Sequence, residues 1–339
     1  MLVAVHSERV EMHAMSTATE IAPNVWLGPT PDAAVAALNA PPDALPADAQ
    51  RYDLFIEAVD LAQIPDKKAF DLLENLLADS KVVHNAIPQL EFPGSGSIMP
   101  PTWSQIEVDG LLETCAWMHR QTTGLANTDR GRKDSKVLLT PPEEKDADGD
   151  SAMIDLDLVA SNRGKKILIH CADGYTETSL LALAYYMYAN RVPVHTAYLE
   201  LHTKHHRNFF SYPSDAALLK AIEPRLLQSS PKGFESIESL TPTAPSWFTK
   251  IDGSLPSRIM NYMYLGNINH ANNPGLLRQL GIGQVLSVGE SVDWTDEEKQ
   301  MWSKSGGGDE KVLFVNGVQD NGVDPLTEEF KRCLAFIGK

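Results

Sequence analysis

The stretch Ile-Leu-Ile-His-Cys-Ala-Asp-Gly-Tyr-Thr-Glu-Thr-Ser at residues 167–179 limits the fold of this chain more than any other. Behind Lys165 and Lys166, the unbroken apolar run Ile167, Leu168, Ile169 predicts a short buried strand over 165–170. Residues 180–189, Leu-Leu-Ala-Leu-Ala-Tyr-Tyr-Met-Tyr-Ala, predict an apolar helix. A tight turn holding a cysteine, a glycine and small polar residues joins them. Strand, short loop and helix N-terminus together make an anion cradle, because backbone N–H groups converge there and the helix dipole adds positive potential. A cysteine at the head of such a cradle is expected to have a depressed pKa and to act as a nucleophile. The competing reading is a core cysteine at a strand end.

His170-Cys171-x-x-Gly174-x-x-x-Thr178 resembles the signature loop of the cysteine-dependent protein phosphatases, His-Cys-x-x-Gly-x-x-Arg-Ser/Thr. The resemblance implies that Cys171 is the nucleophile position, forming a phosphocysteine. It also implies that His170, Ala172, Asp173, Gly174, Tyr175, Thr176, Glu177 and Thr178 make up the phosphate loop. In that family the arginine grips two phosphate oxygens; this chain has Glu177 there. A phosphoryl group near neutral pH carries close to two negative charges. A guanidinium binds it bidentately, and a carboxylate repels it. Unit charges ~4 Å apart at an effective dielectric of ~20 interact by ~4 kcal/mol, so the exchange is worth several powers of ten in affinity. Asp173 adds a second carboxylate, and the combined field is expected to raise the Cys171 pKa.

Composition narrows the class. The chain has 339 residues, enough for two domains, and a formal net charge of −16, which argues against nucleic acid and anionic membranes as partners. Cys115, Cys171 and Cys333 show no paired or metal-binding spacing, which suits a reducing compartment. The first 15 residues do not read as a signal peptide, and the apolar run at 180–189 is too short to span a bilayer. The expectation is a soluble cytoplasmic or nuclear protein without metal or cofactor.

A second constraint is an internal repeat. Val25-Trp26-Leu27-Gly28 returns as Met263-Tyr264-Leu265-Gly266, an apolar residue, an aromatic, Leu and Gly at matching offsets. It resembles the aromatic-Leu-Gly strand that opens dual-specificity phosphatase domains, so two copies of one domain are expected. In the first, strands are predicted at 52–58 and within 82–92, and helices at 33–38, 66–77, 106–121, 194–202 and 216–227. The second is expected to carry strands at 284–288 and 311–318 and helices at 276–280 and 326–337.

The expected domain plan is a flexible extension at 1–18, then a phosphatase-like domain at 19–230 with a polar insertion at 122–164. A Ser/Pro-rich linker follows at 231–256, and the front part of a second domain at 257–339. The fold class is α/β, a central and mostly parallel sheet flanked by helices, one full copy plus an incomplete second. This layout resembles the large fungal dual-specificity phosphatases, which carry a degenerate phosphatase-like domain ahead of a catalytic one. Their general acid is an aspartate on the loop before the helix that precedes the signature strand. Asp320 occupies that place in the second copy, where a turn residue in Asp-Asn-Gly is the alternative; the first copy has Glu-Phe-Pro-Gly-Ser-Gly-Ser at 91–97, with no aspartate.

Other features carry less. The acidic run from Asp146 departs from a calcium loop at its sixth and twelfth positions. His202, His205 and His206 lack a further ligand and read as a solvated helix end, followed by Arg207 as a charge complementing the helix dipole. Cys115, Cys333, Trp103 and Trp117 read as core. Three functions follow: a pseudophosphatase or scaffold that binds a phosphoprotein or other protein, an active dual-specificity phosphatase, and a thiol redox sensor at Cys171.

Overall fold

The structure is a computed structural model and describes residues 17–31, 52–78, 87–97, 104–124, 164–233, 236–304, 311–318, 327 and 329–338. The expectations for Trp103, Asp320, the helix at 33–38, the acidic run from Asp146 and most of the insertion at 122–164 lie outside these residues.

Five strands form one sheet: β1 (Thr19–Ala22), β2 (Val25–Pro29), β3 (Leu54–Val59), β4 (Gln89–Pro93) and β5 (Ile167–Cys171). Their order is β1-β2-β5-β3-β4, and all pairs are parallel except the β1–β2 hairpin. The opening motif is therefore a hairpin rather than one strand, because Asn24 turns the chain at φ 63°. β5 pairs with both β2 and β3, Ile167 standing opposite Val25 on one side and Leu54 on the other. Both faces of β5 are covered, Ile167 and Ile169 facing the helices and Leu168 packing with Tyr52 and Phe55, which explains its unbroken apolar run.

Helices follow as α1 (Lys67–Ala78), α2 (Gln105–Thr123), α3 (Ser179–Asn190), α4 (Val194–Thr203) and α5 (Pro213–Gln228). α2 starts with a capping box between Ser104 and Glu107 and stops at Gly124 in the left-handed conformation. Residues 180–188 of α3 are buried all round, so α3 is the central helix, packed between α2, α4 and α5. Val25, Leu27, Leu54, Ile56, Leu90, Phe92, Ile167 and Ile169 point to the same core as these helices. The alternate residues Trp26, Phe55 and Leu168 gather with Tyr52 on the opposite face. Among the described residues the helices thus cover one face of the sheet. Cys115 and Trp117 are core residues, Trp117 stacking on Phe70 at 5.0 Å between ring centres.

The segment expected to be a linker carries two 3-10 turns, Ile237–Leu240 and Phe248–Lys250, and packs inward. Trp247, Phe248 and Leu255 join the main core. Three aromatic or aliphatic side chains within nine positions outweigh the surrounding Ser and Pro.

Further on lie the hairpin β6 (Ser257–Met260) and β7 (Met263–Leu265) and the parallel pair β8 (Val285–Val288) and β9 (Val312–Val315). Between and after them come α6 (Ile268–Ala271), α7 (Pro274–Gln279), α8 (Asp296–Lys304) and α9 (Phe330–Ile337). α8 had no sequence expectation: its mean hydropathy is low, and only Trp302 is buried. The second hairpin repeats the first pair for pair. Thr19↔Leu27, Glu20↔Trp26 and Ala22↔Val25 recur at one constant offset as Ser257↔Leu265, Arg258↔Tyr264 and Met260↔Met263, with the same irregularity after the second pair. Among the described residues no strand joins β7 to β8 as β5 joins β2 to β3. A cleft of about 700 Å³ lies there instead, lined by Tyr264, Leu265, Val285, Leu286 and Phe336.

Candidate functional site

The loop at 172–178 connects the C-terminal end of β5 to α3, at the edge where parallel sheets present their ligand sites. Cys171 is the last strand residue and its side chain is 4% exposed. Its carbonyl accepts the Thr30 hydroxyl at 3.0 Å, which fixes the strand end. His170 is buried edge-on against Phe55 and lies 3.5 Å from the Thr30 hydroxyl; burial keeps its pKa below the usual histidine value. Beyond the sulfur the chain turns at Gly174, whose φ of +67° suits glycine. A Cβ there would lie 2.3 Å from the Gly28 carbonyl carbon and 2.5 Å from the Arg207 guanidinium.

The loop's N–H groups turn to acceptors within the loop. The Gly174 N–H donates to Cys171 Sγ at 3.2 Å, and the Tyr175 N–H donates to Asp173 Oδ1 at 2.9 Å. Ala172 and Asp173 are exposed, Tyr175, Thr176 and Glu177 half-buried, and Thr178 fully buried at the head of α3. Its charge is the wrong one for phosphate. The Sγ of Cys171 and carboxylate oxygens of Asp173 and Glu177 all lie within 4.8 Å of one another. The thiol donates to Asp173 Oδ1 at 3.6 Å. The Cys171 pKa is raised, first by burial and then by its hydrogen bond to Glu177; the Asp173 and Gly174 N–H groups pull it down. Burial, ahead of Glu177, thus favours the thiol form of the nucleophile expected from loop shape alone.

Two further carboxylates approach. The Asp60 carboxylate and the Glu177 Cβ sit 3.0 and 3.4 Å from where a Gly94 side chain would begin. Asp252 faces Tyr175 and, after burial, helps raise its pKa. Neither had been singled out from sequence.

Arg207 differs from the sequence expectation. It is fully buried, not a surface charge at a helix end, and its guanidinium donates to the carbonyls of Thr17 and Gly174, each at 2.9 Å. His202 is likewise buried rather than solvated, while the His205 Nδ1 lies 2.7 Å from the Glu20 carbonyl. His206 is exposed, as a solvated helix end requires. Sequence reasoning also missed Asp215. This buried carboxylate accepts hydrogen bonds from the Ser95 hydroxyl and, at 2.8 Å, from the Gly96 N–H. Ser95 in turn accepts from the Ser179 hydroxyl at 2.9 Å, and its N–H donates to the Glu177 carbonyl at 2.9 Å. The loop after β4 is thereby locked to the loop after β5. The only sequence signal was an acidic residue in the first turn of α5.

A mostly parallel sheet whose central strand ends in a cysteine just before a helix N-terminus is consistent with a phosphatase-like fold. Over 153 residues the chain is 37% identical to the dual specificity protein phosphatase PPS1 of Saccharomyces cerevisiae, a match covering 38% of this chain and 19% of that relative. The chain thus spans about a fifth of the curated relative it matches. The likeness supports a relationship to dual specificity phosphatases. No family model and no solved structure matches the chain. Among the described residues no helix is long and apolar enough to cross a membrane.

Proposed function

We propose that the chain belongs to the dual-specificity protein phosphatase family and that its 19–230 region is a pseudophosphatase, a protein-binding or scaffolding domain without turnover. One observation carries this reading: Glu177, with Asp173 beside it, places negative charge against the Cys171 thiol where the family's positive clamp belongs. The Gly94–Ser97 loop also lacks an aspartate to serve as general acid. Residues 257–339 read as the front of a second copy, supported by the matching hairpin registers and by the cleft between β7 and β8. Asp320 is assigned as that copy's general-acid position. A cytoplasmic or nuclear location and a phosphoprotein or other protein partner fit the acidic, cysteine-poor composition.

The second reading, an active dual-specificity phosphatase working through a phosphocysteine, rests on the relative's name and on the intact His170-Cys171 pair. Hydrolysis of a small aryl phosphate by wild type, Cys171→Ser and Glu177→Arg separates the two. No wild-type turnover above the Cys171→Ser background supports the pseudophosphatase; turnover abolished by Cys171→Ser overturns it.

A further inference from the structure

We propose that the cleft between β7 and β8 is a docking slot for an extended apolar strand donated by a separate polypeptide. That strand lies parallel to both, in the place β5 holds between β2 and β3. The proposal rests on the reading above, that 257–339 repeats the front of the first domain, and it names the partner that the open sheet takes.

Matched positions carry the argument. One offset relates the two hairpins and sets Leu265 against Leu27. Leu27 stands beside Ile169 of β5 and is 0% exposed, whereas Leu265 is 64% exposed. Residue type and register are the same, so the neighbouring strand makes the difference. Tyr262, Val288, Phe330 and Leu334 are exposed in the same region. Among the described residues β7 pairs only with β6 and β8 only with β9, so each offers a row of backbone N–H and C=O groups without a strand partner. The cleft of about 700 Å³ lies along both edges. An added strand satisfies two rows at once and covers apolar side chains on its alternate positions.

Charge fixes the kind of strand. No Asp or Glu lines the cleft among the described residues, in a chain of net charge −16. In the first copy Asp53 precedes β3 and accepts the Lys166 N–H at 2.8 Å, at the flank where Lys165 and Lys166 enter β5. Gln284 takes the place of Asp53 before β8, and Lys311, just before β9, lines the slot at that end. The sign of the entrance is thereby reversed. The strand that fits is apolar over five residues, as β5 is, and acidic rather than basic at its N-terminal flank.

The test uses the full 339-residue chain and a fluorescein-labelled peptide of residues 165–171 carrying Lys165→Asp, Lys166→Asp and Cys171→Ser. Anisotropy is expected to show one saturable site per chain. The same peptide with both lysines kept binds at least about threefold more weakly. Leu265→Arg weakens binding at least about tenfold, because it sets a charge in the apolar slot. Leu72→Arg, equally exposed on α1 of the first domain, leaves it unchanged. Circular dichroism of each variant establishes that it is folded. In amide exchange the bound peptide slows residues 263–265 and 285–288. Absence of saturable binding, indifference to Leu265→Arg, or equal affinity for the lysine peptide overturns the proposal and leaves the repeat standing. Protection of those amides that vanishes on dilution of the free chain identifies a second copy as the occupant and also overturns it. Amides already as protected as those of β2 at every dilution mean that the sheet is closed from within, which overturns the reading beneath.

Discussion

Arg207 donates a guanidinium hydrogen bond to the carbonyl of Gly174 at 2.9 Å, and this bond holds the turn that follows Cys171. The same side chain reaches Thr17 at the start of the sheet. This guanidinium thus donates to carbonyls, and the loop's exposed and half-buried side chains include Asp173 and Glu177. Shape and charge are set by different residues, so each can be altered separately.

Charge comes first. Glu177→Arg exchanges repulsion for attraction at unchanged loop shape. At ~4 kcal/mol for each charge pair at close range, tungstate or phosphate affinity is expected to rise by at least about a hundredfold. Equilibrium dialysis or calorimetry with tungstate reads it. An unchanged affinity means that Glu177 does not face the cradle.

Shape is the converse. Gly174→Ala puts a non-glycine residue at φ +67° and drives its Cβ to 2.3 Å from the Gly28 backbone. The conformational cost alone is about 1–2 kcal/mol, and backbone cannot yield as a flexible side chain does. A loss of more than about 2 kcal/mol is expected in urea unfolding, with the midpoint moved and the slope unchanged.

Removing the tie tests its energetic weight. Arg207→Met keeps the apolar stem and takes the guanidinium from the buried carbonyl of Gly174. At about 1–3 kcal/mol for a buried group left unmet, a loss of about 1–3 kcal/mol is expected. Amide exchange at Gly174 and Tyr175 is expected to quicken before the helices do, since the loop opens first.

Acid stability follows from His202. Burial pushes its pKa down to about 4, against hydrogen bonds to the backbone of Pro256 and Arg207, and with help from the nearby His206 and His270. The unfolded chain, with a histidine near 6.5, takes the proton more readily than the folded one. Stability is therefore full above about pH 6.5 and falls as pH drops from there toward 4, by about 3 kcal/mol at most. His119, His170, His195 and His270 are also lowered by burial and act with the same sign. His202→Gln is expected to flatten the pH dependence of urea unfolding between pH 6.5 and 4; an equally steep curve assigns the effect to the other histidines.

Much of the site was legible in the chain itself. The run Ile167–Ile169 had to be a buried strand, because an unbroken apolar run needs both faces of the sheet covered; that it is the central strand came from the pairing with β2 and β3. The apolar sequence from Leu180 had to be an enclosed helix. The sign of residue 177 is a property of one position and needs no structure. The repeated aromatic-Leu-Gly motif likewise announced two related openings, each expected as one strand and found as a hairpin, and their registers agree pair for pair.

What the tertiary structure alone decided are the contacts between positions far apart in the chain. Arg207 meets Thr17 across 190 positions, and Asp215 meets Ser95 across 120. No local period encodes such pairs, because they depend on where the sheet's register and the helix crossings bring each backbone. His202 looked solvated in sequence and proved buried for the same reason: the segment ending at Pro256 folds over it. Local patterning fixes which face of an element is apolar, whereas long-range packing fixes which neighbour covers it.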